Sequence, residues 1–217
     1  MYPEENGSAP VVESGAPDVE KEAFFTLRFF LLEFWHDLQI INALRRRHSE
    51  FLYSISMTTR PKRAGERSGV HYYFATVAEF EQMKREDKLI EWATVHGQSY
   101  GTPRANIDRA FRKKSVMLFD LDVQGAASLR QAVPSVVSIF LLPPSMTSLR
   151  RRLKGRRSDD REAIIRRIET AQTELLRANE YEYLVTNDDL DECVGDCASI
   201  IRAELLRRER HPGSGAR

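Results

Sequence analysis

Long apolar runs and shorter amphipathic stretches alternate along this chain. Residues 115–121 carry Val116, Met117, Leu118 and Phe119 in succession, and residues 136–142 are apolar except for Ser138. A run that is apolar on both faces is the pattern of a strand buried inside a parallel sheet. Pro143-Pro144 stops the second run, because proline cannot donate to a ladder. Shorter strands are predicted over 51–56, 72–74, 89–95 and 183–186. Helices are predicted over 76–87, 103–113, 147–153, 161–178 and 192–208. In the first of these Phe80 and Met83 share a face. Ile40, Ile41 and Leu44, followed by Arg45–Arg47, read as a helix end.

Strands alternating with helices predict an α/β domain, a parallel-sheet core over 23–208. The strand cluster at 51–95, closed by a polar turn through Pro61 and Gly65, interrupts that alternation and reads as a separate substrate lobe. No internal repeat is present. Residues 1–22, acidic and rich in Pro, Gly and Ser, cannot bury enough apolar surface to offset ordering entropy and are predicted disordered. Residues 209–217 are predicted to fray.

Residues 23–35 hold six of the chain's twenty aromatics: Phe24, Phe25, Phe29, Phe30, Phe34 and Trp35. This run is too short to span a bilayer and contains Arg28 and Glu33. Its acidic N-terminal flank is the wrong charge for a secretory signal. The expectation is a soluble, cytoplasmic protein with no membrane partner.

Charge changes the picture locally rather than globally. Lys plus Arg is 33 and Asp plus Glu is 32, which predicts no nucleic-acid partner. Residues 147–167 are nonetheless Arg-rich, which suggests phosphate handling or a solvated helix face. The two cysteines, Cys193 and Cys197, are spaced i, i+4 on one helix face and read as buried thiols, since no further soft ligands stand nearby to complete a metal site.

Four groups of residues carry candidate chemistry. Residues 54–63 hold four hydroxyls (Ser54, Ser56, Thr58, Thr59) and three cations (Arg60, Lys62, Arg63). Arginine forks and hydroxyls together suit phosphate oxygens, although a solvated basic turn has the same composition. In the stretch 97–102, Gly101 permits close backbone approach and Tyr100 offers a phenol, and a plain turn fits as well. Glu91, on a strand, could accept from the two N–H groups of a guanine edge or be simply solvated. Asp120 and Asp122 follow a buried strand, where ligands of open parallel sheets bind. Asp122 also suits a helix N-cap. Arg150, Arg151, Arg152, Arg156, Arg157, Arg166 and Arg167 surround Gly155 and could stabilise a moving phosphoryl group or form a basic helix face.

These strings, taken together, are similar to guanylate kinase from about Phe51 to Arg208. They are Ser-x-Thr-Thr-Arg-x-x-Arg from Ser56, Gly-Val-x-Tyr-x-Phe from Gly69, Glu91-Trp92-Ala93, Tyr100-Gly101-Thr102, Asp-x-Asp-x-Gln-Gly from Asp120, Pro143-Pro144-Ser145 and Asn187-Asp188-Asp189-Leu190. The resemblance implies a P-loop-kinase-like parallel-sheet core, a GMP-binding lobe over about 54–102 and an Arg-rich lid over about 150–165. It implies phosphoryl transfer from ATP to GMP, with Mg²⁺ accompanying ATP, as part of purine nucleotide recycling. Ser56, Arg60, Arg63, Tyr72 and Tyr100 would then hold the GMP phosphate. Glu91 and Thr102 would read the base, and Asp122 would meet guanine N–H groups. Asp120 would lie near Mg²⁺, through water. Arg152, Arg156 and Arg167 would close over the phosphates with Arg60, and Asn187 would sit on the adenine side. A monomer or homodimer is expected. Met57, where a hydroxyl or His is usual, and Arg157, where Gly is frequent, are minor departures.

One departure is large. The family begins with a strand followed by Gly-x-x-Gly-x-Gly-Lys-Ser/Thr, whose backbone N–H groups cradle the ATP phosphates. The corresponding place is assigned here to Glu33–Gln39, ahead of Ile40–Leu44. No glycine stands between Gly15 and Gly65, and no lysine between Lys21 and Lys62. Without glycine the wrapping conformation is costly, and Glu33 and Asp37 would repel ATP. Weak or absent turnover with GMP binding retained is the expectation. The alternative is a catalytically inactive guanylate-kinase-like module binding GMP or a phosphopeptide. Two origins compete: divergence, or a local frameshift. Phe34-Trp35-His36 is encoded UUY UGG CAY, and with UUC the next frame reads UCU GGC, Ser-Gly.

Overall fold

Two sheets divide the chain, one assembled from its two ends and one from its middle. The computed structural model describes residues 24–28, 34–95, 97–154 and 161–207, with backbone only for 24–28, 34–38, 152–154, 161–164, 166 and 167. The acidic segment 1–22, the centre of the lid segment and the tail 209–217 lie outside the described residues.

The core sheet has five strands in the order β2-β7-β1-β8-β9. These are β1 (Phe24–Arg28), β2 (Leu52–Tyr53), β7 (Met117–Asp120), β8 (Val136–Leu142) and β9 (Tyr183–Thr186). Every neighbouring pair is parallel. The aromatic run thus begins as the central strand, with Phe25 in register with Leu118 on one side and Val137 on the other.

The continuous apolar runs are apolar because both faces are covered. Leu118, Ile139 and Leu141 point into one cluster with Ile40, Ile41 and Leu44 of α1 (Phe34–Arg47) and Val194, Cys197 and Ile201 of α7 (Leu190–Leu205). Met117, Phe119 and Phe140 point into the other. There they meet α3 (Arg104–Lys113), α4 (Val123–Ala132), α5 (Met146–Lys154) and α6 (Arg161–Leu175) through Ile107, Ala110, Ala126, Leu129, Leu149 and Ala171. Alternate residues of each strand serve opposite layers, as the period of two requires. Cys193 and Cys197 are both buried, as expected of structural thiols.

The second sheet has the order β4-β3-β6-β5. It comprises β3 (Met57–Thr58), β4 (Tyr73–Phe74), β5 (Leu89–Val95) and β6 (Gln98–Pro103), with α2 (Val77–Arg85) between β4 and β5. Thr76 opens α2 with a capping box: its hydroxyl accepts from Glu79 N–H and the Glu79 carboxylate accepts from Thr76 N–H. Phe80 of α2 packs beneath β6 against Gly101, where an added Cβ would stand 3.1 Å from the ring and 3.0 Å from Leu89. Glycine is required there by that close approach.

Several expectations need correction. Residues 51–56 yield only the two-residue β2, and it belongs to the core sheet, not the lobe. The stretch 97–102, for which a plain turn is one of two readings, lies almost wholly in strand β6. Residues 123–132, with only a weak apolar period, form α4. The helical segment ending at Arg47 begins at Phe34, so most of Glu33–Gln39 is the start of a helix and not a phosphate-wrapping loop. The connection between β1 and α1 is 29–33, which lies outside the described residues.

Candidate active site

The carboxyl ends of β1, β7 and β8 lie at one edge of the core sheet, with Leu27 level with Asp120 and with Ile139. The helices that follow β1 and β7 leave on opposite faces, since α1 packs into one cluster and α4 into the other. A crevice opens where adjacent strands diverge in this way, and ligands of open α/β sheets bind there. Asp120 ends β7 half-buried at this edge, and Asp122 two residues on begins α4.

The N-cap reading of Asp122 holds. Its Oδ1 accepts from Gly125 N–H at 2.7 Å, which caps α4. The same carboxylate faces Glu91 from across the lobe. A Cβ placed on Gly125 would lie 2.9 Å from Glu91 Oε2 and 3.2 Å from Asp122 Oδ1. Two carboxylates therefore converge on the one residue of α4 that has no side chain to separate them.

Glu91 reaches this point from β5, paired with Thr102 of β6 in the antiparallel ladder. Thr102 donates its hydroxyl to Glu91 Oε1 at 2.5 Å, and both residues are buried. Burial pushes the Glu91 carboxyl up to about 7; the Thr102 hydroxyl opposes the shift and the Asp122 charge adds to it. This end of the lobe is rich in acceptors, with Glu91 buried and Asp122 half-buried, and is chemically suited to a ligand edge that presents adjacent N–H donors.

The opposite end of the lobe is cationic and aromatic. Arg60 follows β3, its guanidinium 5.5 Å from the Tyr72 ring centroid and 5.7 Å from that of Phe74. Its Nη2 donates to Glu66 Oε1 at 2.7 Å and its Nη1 to Pro61 O at 2.8 Å. Tyr72 and Tyr100 meet edge to face with centroids 6.0 Å apart. Burial, then the nearby Asp120 and Tyr100, raises the Tyr72 phenol, so it stays a hydroxyl donor. Ser56 stands half-buried between β2 and β3, and Arg63 is exposed in the turn beyond.

The structure thus brings Arg60, Tyr72, Tyr100 and Asp120 into one neighbourhood, and Glu91, Thr102 and Asp122 into another, on the same lobe and edge. Asn187 follows β9 at the same sheet edge, its N–H donating to Leu142 O at 2.8 Å. Of the lid arginines, Arg152 lies in α5 and Arg167 in α6 with backbone alone described, and Arg156 lies outside the described residues. Two contributors carried no sequence signal of their own, Glu66 and Asn106, and Gly125 was visible only as the end of the Asp-x-Asp-x-Gln-Gly string. Asn106, 5% exposed on α3, donates to Ser54 Oγ and Ile55 O at 2.9 and 3.0 Å and so fixes the segment leading to Ser56.

The family model described as guanylate kinase matches residues 38–204. The chain belongs to the guanylate kinase family. The match begins inside α1, so β1 and the connection 29–33 lie ahead of it. The guanylate kinase of Chelativorans sp. (strain BNC1) is 47% identical over 175 residues, 80% of each chain. That of Mesorhizobium japonicum is 48% identical over 162 residues, 74% of each. The crystal structure of guanylate kinase from Anaplasma phagocytophilum superposes with a TM-score of 0.74 at 31% identity, covering 89% of this chain and 92% of that one. The α/β fold with its parallel core sheet is therefore the guanylate kinase fold. Guanylate kinases are nucleoside monophosphate kinases, ATP-dependent transferases that generally use Mg²⁺.

Among the described residues no group of three or more His, Cys, Asp or Glu is gathered to hold a metal, and no described helix is long and apolar enough to cross a membrane. No Ser or Thr stands between Thr26 and Ser49 to offer a hydroxyl at the start of α1. Of the predicted set, Asp120 and Asp122 present carboxylates at the sheet edge, and Asp122 is engaged in capping α4. This donor set suits an ion that arrives on nucleotide phosphates and keeps most of its waters, and not a resident one.

Proposed function

We propose that this chain binds GMP across the β3–β6 lobe and transfers a phosphoryl group to it from ATP, with turnover held low by its β1–α1 connection. The observation that carries the reading is the convergence of Glu91 and Asp122 on Gly125. The Watson–Crick edge of guanine offers two adjacent donors, N1–H and N2–H₂, to those carboxylates, beside the acceptor O6. Adenine offers an acceptor at N1, which would face a carboxylate oxygen. Thr102 orients Glu91. Arg60, Arg63, Ser56, Tyr72 and Tyr100 suit the phosphate oxygens at the other end.

Asp120 stands where the two nucleotides would meet. Mg²⁺ carried on ATP would be met there through water, and it would supply charge neutralisation between the phosphates. Arg152, Arg156 and Arg167 are proposed to close over the transferring group, and Asn187 to flank the adenine. The protein's part in such a transfer is alignment and electrostatic stabilisation, since little covalent chemistry is asked of it.

The absence of glycine and lysine across the β1–α1 region favours a second reading, a silent GMP-binding module. Titration calorimetry with GMP and AMP, beside a coupled ATP/GMP assay, separates the two. Tight GMP binding, at least tenfold over AMP, is expected under both. Turnover that rises about 10²–10⁴-fold when Gly-x-x-Gly-x-Gly-Lys-Ser is restored across the junction from β1 to α1 supports the kinase reading. Equal affinity for AMP and GMP would overturn the base-reading assignment. Sequencing of the gene decides between divergence and a frameshift: a clean in-frame read with no glycine codons in the alternative frame ends the frameshift account.

A further inference from the structure

We infer that Glu66 is the positioning residue of the phosphate end: it holds Arg60, and the turn bearing Arg63, in the orientation that receives a phosphate monoester. This deepens the GMP reading above and rests on it. In sequence Glu66 belongs to the polar turn after Pro61 and looks solvated. In the fold both of its oxygens are engaged. Oε1 accepts from Arg60 Nη2 and Oε2 accepts from Arg63 N–H, each at 2.7 Å. The Arg60 and Glu66 side chains are only 12% and 17% exposed.

The geometry around Arg60 shows what this contact does. Its guanidinium stands within 5.7 Å of two aromatic centroids, those of Tyr72 and Phe74. Glu66 and Pro61 O take two of its N–H groups. An arginine has five in a rigid fork, so three are left to point elsewhere. A free arginine chain would lose several rotatable bonds of freedom on gripping an anion, whereas here that loss is already incurred in the fold. Burial opposes the charge on Arg60, but Glu66 outweighs it and raises the guanidinium pKa; the Glu66 carboxyl is correspondingly held below its usual range. A carboxylate so close to a phosphate site repels the ligand, so its service to the site is geometric and not attractive. The same carboxylate joins Arg60 to the backbone of Arg63, which ties both sequence-predicted arginines to one acceptor.

The test compares GMP with guanosine, which lacks the phosphate, on the full-length chain. Glu66→Ala is expected to weaken GMP about tenfold and to leave guanosine unchanged. Glu66→Gln can accept from Arg60 through its one amide oxygen but sets an N–H₂ against Arg63 N–H, and is expected to weaken GMP binding less than Glu66→Ala does. Should Glu66→Ala fail to melt cooperatively, Glu66→Asp carries the same comparison, because it is one methylene too short to serve both donors. Unchanged or tighter GMP binding in Glu66→Ala would overturn the inference, making Glu66 a mere counter-ion. Equal weakening of GMP and guanosine would also overturn it, as a general loss of lobe structure. Wild-type protein that binds GMP no better than guanosine would remove the GMP reading itself, and this inference with it.

Discussion

Glu91→Gln should make this protein more stable and less able to bind its nucleotide, and the gain should depend on pH. Glu91 is 4% exposed and its carboxyl is raised from 4.5 to about 7. The folded state therefore holds the Glu91 proton more tightly than the unfolded chain does. The stabilisation from that proton is complete below about pH 4.5 and is lost as pH rises through 7. At pH 8 nearly the whole difference weighs against the fold: roughly 2.5 pK units, or about 3 kcal/mol. Glutamine keeps the shape and can still accept from Thr102, but carries no charge to desolvate. The variant should exceed wild type at pH 8 by up to about 3 kcal/mol, on the order of 10 °C in Tm for a chain of this size. Near pH 5 the difference should shrink to within about 1 kcal/mol. Urea unfolding of the ligand-free protein at pH 5, 6, 7 and 8 measures this directly, free of stabilisation by bound nucleotide. GMP affinity should fall about 10²-fold, since an amide N–H₂ replaces an acceptor of two donors. Parallel stability curves for the two proteins across that range would refute the reasoning, because they would show that Glu91 ionises in the fold without cost.

Guanosine binding by the wild type should weaken about fivefold between pH 7 and pH 6 and about tenfold per pH unit below, as Glu91 takes up the proton that its ligand requires it to lack; guanosine is the probe because it has no phosphate to titrate, and calorimetry reads the slope. Gly125→Ala brings a methyl to 2.9 Å from Glu91 Oε2, so GMP affinity should drop by more than tenfold while Tm changes little, alanine being the better helix former by about 1 kcal/mol. Asn106→Ala removes two donations to the Ser54–Ile55 segment and should cost about 1–3 kcal/mol in denaturant unfolding, with the KM for GMP rising through the misplaced Ser56.

The sheet core was legible wherever burial on both faces forced continuous apolarity. Strands over 136–142 and 183–186 appear at the residues expected, and so does 89–95, where β5 alternates buried and exposed positions. β6 escaped because its sequence, Gln-Ser-Tyr-Gly-Thr-Pro, has neither alternation nor a run, and it is a strand only through its partner β5. α4 escaped because Val-Gln-Gly-Ala-Ala-Ser is short of large apolar residues, and small residues are what its approach to Glu91 demands. In the site, Glu91, Asp120 and Asp122 were visible as polar residues on or after predicted strands, and Thr102 only through the Tyr-Gly-Thr string. Glu66 was not, since a turn of Pro, Lys, Arg and Gly has no period from which an inward carboxylate could stand out. The aromatic stretch 23–35 gave no clue to strand β1, which only the register with β7 and β8 reveals.

The placement of β2 beside β7 has a further consequence. The chain leaves the core sheet at Tyr53 and re-enters it at Met117, and these two stems are neighbours, Leu52 level with Met117 and Tyr53 with Leu118. Between them lie the second sheet, α2 and α3, and α3 returns to pack Ile107 and Ala110 into the core, its Asn106 stapled to Ser54 and Ile55. The lobe is therefore anchored twice, through this helix and through the approach of Glu91 to Gly125 of α4. A substitution at either anchor is felt in the core and in the lobe alike.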